Sequence, residues 1–283
     1  MRYISFVHDG RASYGRVEGD RIADLGTLPG APTDLKAALA ANALAGLQAE
    51  ATLALTEVTL LPVIPNPAKI LCVGHNYETH RQETGRAKVD NPSIFTRFAD
   101  TLTGADDPIV RPAVSENLDF EGELAIVIGK GGRAIAEADA MDHVAGFACF
   151  NDASVRDWQW HTSQFTPGKN FPATAPFGPE LVTPDEIADL AAVTVTTRLN
   201  GEQVQHASVS DMIFPIAKIV AYISAFTPLS PGDVIATGTP GGVGAKRQPP
   251  LWMKPGDTVE VDIAGVGLLT SRIVAEPDIH KSN

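Results

Sequence analysis

From residue 70 onward the chain is a succession of short apolar runs: "KILCVG", "SIFTRF", "ELAIVIG", "VAGFACF", "VTVTTRLNG", "DVIATG" and "DTVEVDIAGVGLLTSRIV". Gly/Pro turns such as "SPGD" and "KPGD" separate them, and the pattern predicts β-strands. The first residues, "MRYISFVHDGRASYGRVEGDRIADLG", alternate apolar and polar around Gly/Asp turns and predict two or three more. Two longer stretches read as helix. One is the Ala/Leu-rich segment from Leu35 to Leu55. The other is Pro215 to Phe226, with Ile216, Ile219, Val220 and Ile223 at helical spacing and a proline in the first turn. Three prolines, Pro62, Pro65 and Pro67, form a stiff connector. They divide the chain into a small N-terminal α/β domain, residues 1–62, and a larger domain, residues 63–283. The expected fold class is α+β, mostly β, rather than a doubly wound α/β sheet.

Composition adds limits. The chain has 283 residues, 44% of them hydrophobic, which describes an ordinary globular protein. Its net charge of −12, with no long basic run, argues against nucleic acid and against an anionic membrane surface as partners. No apolar run approaches the roughly 20 residues of a membrane span, and the N-terminus lacks the apolar core of a signal peptide. Cys72 and Cys149 both lie in apolar strand patterns and read as buried thiols. A reducing, cytoplasmic location is the expectation.

The candidate chemistry begins at "LDFEGELAIVIG", Leu118 to Gly129. A strand bound for an apolar core carries Glu121 and Glu123 at its mouth, with Asp119 just upstream. Residues i and i+2 of a strand share a face, about 7 Å apart. Two carboxylates there are either solvated or share a cation. A second segment, "FNDASVRDWQ", puts Asp152 at a strand's end with Arg156 and Gln159 beyond it. A helical turn starting here would make Asp152 an N-cap and Arg156 its ion-pair partner. In a third, "VGHNYETHRQETG", a short helix would set His80 beside Glu83. This is the arrangement of a general base near neutral pH, or of an ordinary helix surface. Lys169 in "FTPGKNFP" and Thr239 in the glycine-rich "ATGTPGGVG" complete the set. That loop exposes backbone N–H groups suited to an anion. The spacings of a Walker A loop, a nucleophile elbow, a zinc-protease helix and a dinucleotide fingerprint are absent.

Taken in order, "NYETHRQE", "DFEGELAIVIG", "GFACFNDASVRDWQ", "GKNFP", "LNGEQVQ", "MIFPIAKIVAYIS", "SPGDVIATGTPGGVG" and "KPGDTVEVDIAGVGLLTSRI" resemble the fumarylacetoacetate hydrolase superfamily, over roughly residues 70–272. The acylpyruvase and 2-hydroxyhepta-2,4-diene-1,7-dioate isomerase-like branch is the nearest in pattern. The resemblance implies a mixed β-roll, commonly dimeric, behind the small N-terminal domain. It implies that Glu121, Glu123 and Asp152 bind Mg²⁺ or Mn²⁺. An all-carboxylate site suits those ions, or Ca²⁺, better than zinc or copper. It also implies that His80 and Glu83 form a water-activating dyad on a lid helix. Arg156, Gln159 and Lys169 would bind substrate oxygens, with Lys169 also meeting the developing enolate. Thr239 and the adjacent glycine amides would hold a carboxylate. The implied activity is hydrolysis of a C–C bond in small 2,4-dioxo acids, giving a 2-oxo acid and a carboxylic acid. Decarboxylases and isomerases share the same metal residues. In one place the chain departs from the pattern: after "SIF" many members carry a Lys-Pro-like pair, and here Thr96-Arg97-Phe98 stands instead.

Overall fold

The computed structural model describes residues 1–277. Its frame is a large mixed sheet. In spatial order, the strands 53–54, 21–24, 11–18, 2–8, 175–182, 144–151, 122–128, 234–236, 70–74 and 93–97 are hydrogen-bonded side by side. The strand Arg2–His8 pairs directly with Ala175–Val182, in the register Arg2↔Val182 and Tyr3↔Leu181. The N-terminal strands therefore extend the sheet of the larger region. A second sheet of five strands runs 202–208, 194–199, 258–263, 267–275 and 109–111.

Packing explains the "ELAIVI" run. The strand Gly122–Ile128 is buried along its whole length, which is why its sequence is continuously apolar rather than alternating. Leu124, Ile126 and Ile128 face Val195, Val261, Ile263 and Leu269 of the five-stranded sheet. Ala125 and Val127 face the opposite way, with Leu35 and Ala38 in the same cluster. The helix Ile216–Phe226 buries Ile216, Ile219, Val220 and Ile223, the stripe its spacing predicts. Each fully buried aliphatic side chain of this kind contributes roughly 1.5–3 kcal/mol.

The Ala-rich segment departs from expectation. Helix α1 is only Leu35–Ala40, capped by the Asp34 side chain on the Ala37 amide. Asn42 takes a left-handed backbone (φ 49°), and a short 3₁₀ turn at Leu44–Gly46 follows. Only Leu35 and Ala38 of this helix are buried. Leu44, Leu47, Ala49 and Ala51 beyond it pack against the same core as a turn and irregular chain, so good intrinsic propensity does not extend the helix. One strand was not expected: Ala175–Val182, "APFGPELV", sits mid-sheet despite Pro176 and Pro179. Its ladder with 144–151 shifts register between Phe147 and Cys149, the irregularity that proline inside a sheet requires. Cys72 and Cys149 are both free and buried. No helix among the described residues is long and apolar enough to cross a membrane.

Candidate active site

Two neighbouring strand ends build the inner wall of the site. The antiparallel pairing Gly122↔Asn151 and Glu123↔Phe150 brings Glu121 beside Asp152, and the Asp152 amide donates to the Glu121 carbonyl at 2.9 Å. One oxygen from each of Glu121, Glu123 and Asp152 lies within 4.8 Å of the others. All three are buried.

Three buried cations surround them. Lys169 Nζ donates to Glu121 Oε2 at 2.6 Å and to Asp152 Oδ2. Arg156 spans two carboxylates, with Nη2 on Glu121 Oε1 at 2.6 Å and Nε on Asp119 Oδ2 at 2.8 Å; its Nη1 holds Gln159 Oε1 at 2.8 Å. Arg97 donates to Asp152 Oδ1, to the Ala153 carbonyl and to Thr174. Asp152 is thus neither the N-cap of a helix nor the partner of Arg156. Ser154–Val155 is a short strand, and helix α3 begins only at Arg156 (Arg156–Gln159), so the i,i+4 relation does not apply.

Charge accounting singles out Glu123. Four buried carboxylates (Asp119, Glu121, Glu123, Asp152) face three cations (Arg97, Arg156, Lys169). Burial opposes ionisation of Glu121, but the Arg156 and Lys169 charges outweigh it and hold its carboxyl below the ordinary range. Glu123 accepts one hydrogen bond, from the Gly238 amide at 2.8 Å, and no side-chain cation among the described residues pairs with it. Burial first, then the Asp152 and Glu121 charges, push its carboxyl well above normal. A divalent cation fits this wall. The donors are hard oxygens, and the remaining charge deficit falls on the carboxylate that lacks a partner.

The outer wall is helix α2, Glu78–Glu83, with the turn before it. Asn76 fixes that turn by bonding the Phe214 amide and carbonyl and the Thr237 carbonyl. His80 is buried, and its Nδ1 lies 2.7 Å from Glu83 Oε1. This leaves Nε2 as the free ring nitrogen. The other oxygen of Glu83 accepts from the Gly242 amide at 2.8 Å, and Thr79 Oγ1 accepts from Gly241 at 3.1 Å. His75, in the left-handed region at φ 55°, stacks its ring on His80 with centroids 5.1 Å apart and planes at 11°. Burial, then the His80 charge, lower its pKa to about 4, so it is neutral at ordinary pH.

The glycine loop does different work from that expected of it. Its amides serve the chain's own groups: Gly238 on Glu123, Gly241 on Thr79, Gly242 on Glu83, and Gly244 with Ala245 on Asp119. Thr239 lines the cavity, but its hydroxyl accepts from Gln205 and donates to the Gly122 carbonyl. The loop is an anion-binding nest filled by protein carboxylates. Two of its glycines combine a positive φ with no room for a Cβ. At Gly238 (φ 107°) a Cβ would sit 2.6 Å from that of Asn76, and at Gly242 (φ 104°) it would sit 2.3 Å from the Val204 carbonyl.

Between the walls is a cavity of about 90 Å³ lined by His80, Glu121, Glu123, Arg156, Gln159, Lys169 and Thr239 among others. Glu83 and Asp152 stand behind it, each bonded to a lining residue. Sequence reasoning assigned no role to three residues that hold this arrangement. Asp119 anchors Arg156, Arg97 anchors Asp152, and Gln205 anchors Thr239. Arg97 carried a signal: it occupies the same face of "SIFTRF" as Phe95, and a buried guanidinium requires a carboxylate.

The buried acidic triad, the His80–Glu83 pair and the mixed sheets are the features to set beside known proteins. A profile described as fumarylacetoacetate (FAA) hydrolase C-terminal matches residues 69–274, and one described as Rv2993c-like, N-terminal matches residues 1–62. The chain belongs to the fumarylacetoacetate hydrolase family. It is 42% identical over 221 residues to the mitochondrial oxaloacetate tautomerase FAHD2A of Homo sapiens, covering 77% of this chain and 70% of that protein. Its structure is similar to the fumarylacetoacetate hydrolase of Exiguobacterium antarcticum, with TM-score 0.86, 36% identity and coverage of 98% and 100% of the two chains. It is also similar to a maleylpyruvate hydrolase of Sphingobium sp. SYK-6 in complex with manganese(II) and pyruvate, with TM-score 0.79, 30% identity and coverage of 97% and 99%.

Proposed function

We propose that this enzyme hydrolyses a C–C bond in small 2,4-dioxo acids, with Mg²⁺ or Mn²⁺ held by Glu121, Glu123 and Asp152. The observation that carries the reading is the chain Gly242 N–H, Glu83, His80, which holds a base at the cavity that Glu121 and Glu123 line. When bound, the metal supplies Lewis-acid charge to the 2-oxo acid end of the substrate. His80 Nε2 takes a proton from water as the water oxygen bonds to the C4 carbonyl carbon. Glu83 holds the other nitrogen protonated and stabilises the imidazolium that forms. The C3–C4 bond then breaks with its electron pair moving to C3. The acyl part leaves as a carboxylic acid, and the rest as the enolate of a 2-oxo acid. Lys169 and Arg156 add fixed positive charge to the same wall. A proton returned by the imidazolium to C3 completes the cycle.

A second reading has a specific support, the 42% identity to a protein named oxaloacetate tautomerase. In that reaction the same His80 moves a proton between C3 and the enol oxygen, with no water consumed. A panel of acylpyruvates, oxaloacetate and hydroxymuconate-type dienes, each with Mg²⁺ and with Mn²⁺, separates the readings. Release of pyruvate and a carboxylic acid from an acylpyruvate is the expected result. Enol–keto exchange of oxaloacetate without any acylpyruvate cleavage would replace hydrolysis by tautomerisation.

A further inference from the structure

We infer that His75 is a further catalytic residue of the proposed hydrolysis: its ring N–H donates a hydrogen bond to the oxyanion that forms at C4 when water attacks. This role rests on the hydrolytic reading and supplies the group that receives the charge of the attack.

That charge appears on the outer-wall side of the cavity, beside His80. As the water oxygen bonds to C4 and His80 takes its proton, the π pair of the C4 carbonyl moves onto the carbonyl oxygen. It returns to re-form the carbonyl when the C3–C4 bond breaks. Such an oxyanion calls for a preorganised donor, and most donors around the cavity are committed. The amides of Gly238, Gly241, Gly242, Gly244 and Ala245 serve protein side chains. The Thr84 hydroxyl donates to the His80 and Arg81 carbonyls. Lys169 and Arg156 are each paired with two carboxylates, and Arg156 holds Gln159 on the inner wall. Arg86 and Lys246 rest over the Phe165 and Trp160 rings, each 6.0 Å from the centroid.

His75 is different. Its ring lines the cavity, and among the described residues neither ring nitrogen has a hydrogen-bond partner in the protein. The ring lies parallel to that of His80, with centroids 5.1 Å apart, so the two ring edges stand side by side. Two oxygens on one tetrahedral carbon are closer together than that. Hydrogen bonds of about 2.8 Å converging from the two edges reach one oxygen each. His80 Nε2 then meets the attacking oxygen and His75 the former carbonyl oxygen. Burial keeps the His75 imidazole neutral at ordinary pH, so it carries one N–H and does not repel the imidazolium that forms on His80. The chain holds the ring there at a cost, because at φ 55° a residue with a Cβ is strained. Asn76 fixes that turn, and the Phe165 ring meets the imidazole edge-on at 6.2 Å between centroids.

The test uses His75→Gly, which accepts the left-handed backbone, and His75→Phe, which keeps a stacking ring and removes the donor. Two rates are measured on each metal-loaded protein. Hydrolysis of acetylpyruvate passes through the C4 oxyanion, whereas deuterium exchange at C3 of pyruvate uses His80 without it. The ratio of hydrolysis to exchange should fall about 10²-fold in both variants, the loss expected for one oxyanion donor, and KM for acetylpyruvate should change little. In His75→Gly, added imidazole should restore part of the hydrolysis. Neutral 1-methylimidazole, which has the ring but no N–H, should not. A ratio within about threefold of wild type in His75→Gly would overturn the inference. So would equal rescue by the two imidazoles, which would make His75 a stacking support for His80. If His75→Phe does not fold, His75→Gly decides alone. Wild-type hydrolysis with an unchanged ratio in the variant refutes this inference and leaves the hydrolytic reading standing. No hydrolysis of acetylpyruvate or other acylpyruvates by wild type refutes both.

Discussion

The inner and outer walls of the cavity are built to different standards of rigidity. On the inner wall every acidic or basic group is buried, and all but Glu123 have a charged side-chain partner. On the outer wall, His80 and Glu83 are held by one helix of six residues, which meets the glycine loop through two side-chain contacts. Residues 85–90, which follow it, are exposed. Under the proposed function, the wall that would hold the metal is thus the over-determined part. The wall that would supply the base rests on few bonds.

The strongest way to break this contrast is to remove the ion that the inner wall is proposed to hold. Exhaustive chelation should lower turnover by about a thousandfold or more, several kcal/mol of Lewis-acid stabilisation, and Mg²⁺ or Mn²⁺ should restore it. Full turnover by metal-free protein would contradict the reading of the triad. Glu123→Gln should weaken metal binding, measured by calorimetry, because it removes the one carboxylate that lacks a cationic partner.

On the outer wall, His80→Ala should cost roughly 10²–10⁴-fold in kcat while metal affinity stays the same. Glu83→Gln should cost nearly as much, contrary to its modest appearance. Its amide oxygen is required by the Gly242 N–H, so its NH₂ would face His80 Nδ1 and force the proton onto Nε2. A base in the wrong tautomer cannot accept a proton from water. Near-wild-type kcat in Glu83→Gln would show that the dyad does not set the tautomer.

Arg97→Met probes the inner wall through stability. It leaves Asp152 Oδ1 and the Ala153 carbonyl without their donor. Breaking one side of a buried ion pair costs about 3–5 kcal/mol, which lowers Tm by about 10 °C in a domain of this size. A midpoint within about 2 °C of wild type would mean that the wall relaxes around the loss.

The smallest effect concerns His75. Its pKa, lowered from 6.5 to about 4, means that the folded state binds fewer protons than the unfolded one between those values. The stability it contributes is fully present above pH 6.5 and is lost as pH falls through about 4. His75→Asn, which tolerates the same left-handed backbone, should reduce the acid-side fall in Tm by about 2 °C. An identical acid slope in the two proteins would place the His75 ring in water.

Much of this arrangement was legible in the sequence, for reasons that mark the boundary of such reading. The strand mouth at Glu121 and Glu123, the helical H-x-x-E pair and the stripe of the helix Ile216–Phe226 all rest on periodicities of a few residues. Those survive folding because one element fixes them. The partner of Arg97 is 55 residues away, and that of Arg156 is 37. Pairings at such distances are set by sheet register, which no local pattern encodes. The long helix expected at Leu35–Leu55 failed in the same way, since tertiary surface rather than propensity sets its length. Strand 175–182 was hidden by its own prolines. The amides of the glycine loop were correctly read as anion donors, but their anions are the protein's own.

That loop also decides how the enzyme fails. Glu123, the proposed metal ligand, hangs from Gly238, and Glu83, the proposed orienter of the base, from Gly242, five chain positions inclusive along one strip of backbone. A single lesion there, such as Gly242→Ala against the Val204 carbonyl, is pleiotropic: defects in ion retention and in proton transfer are inherited together. Revertants selected for one would recover the other, and second-site suppressors would map to whatever resets the loop, with Asn76 and Gln205 the first places to look.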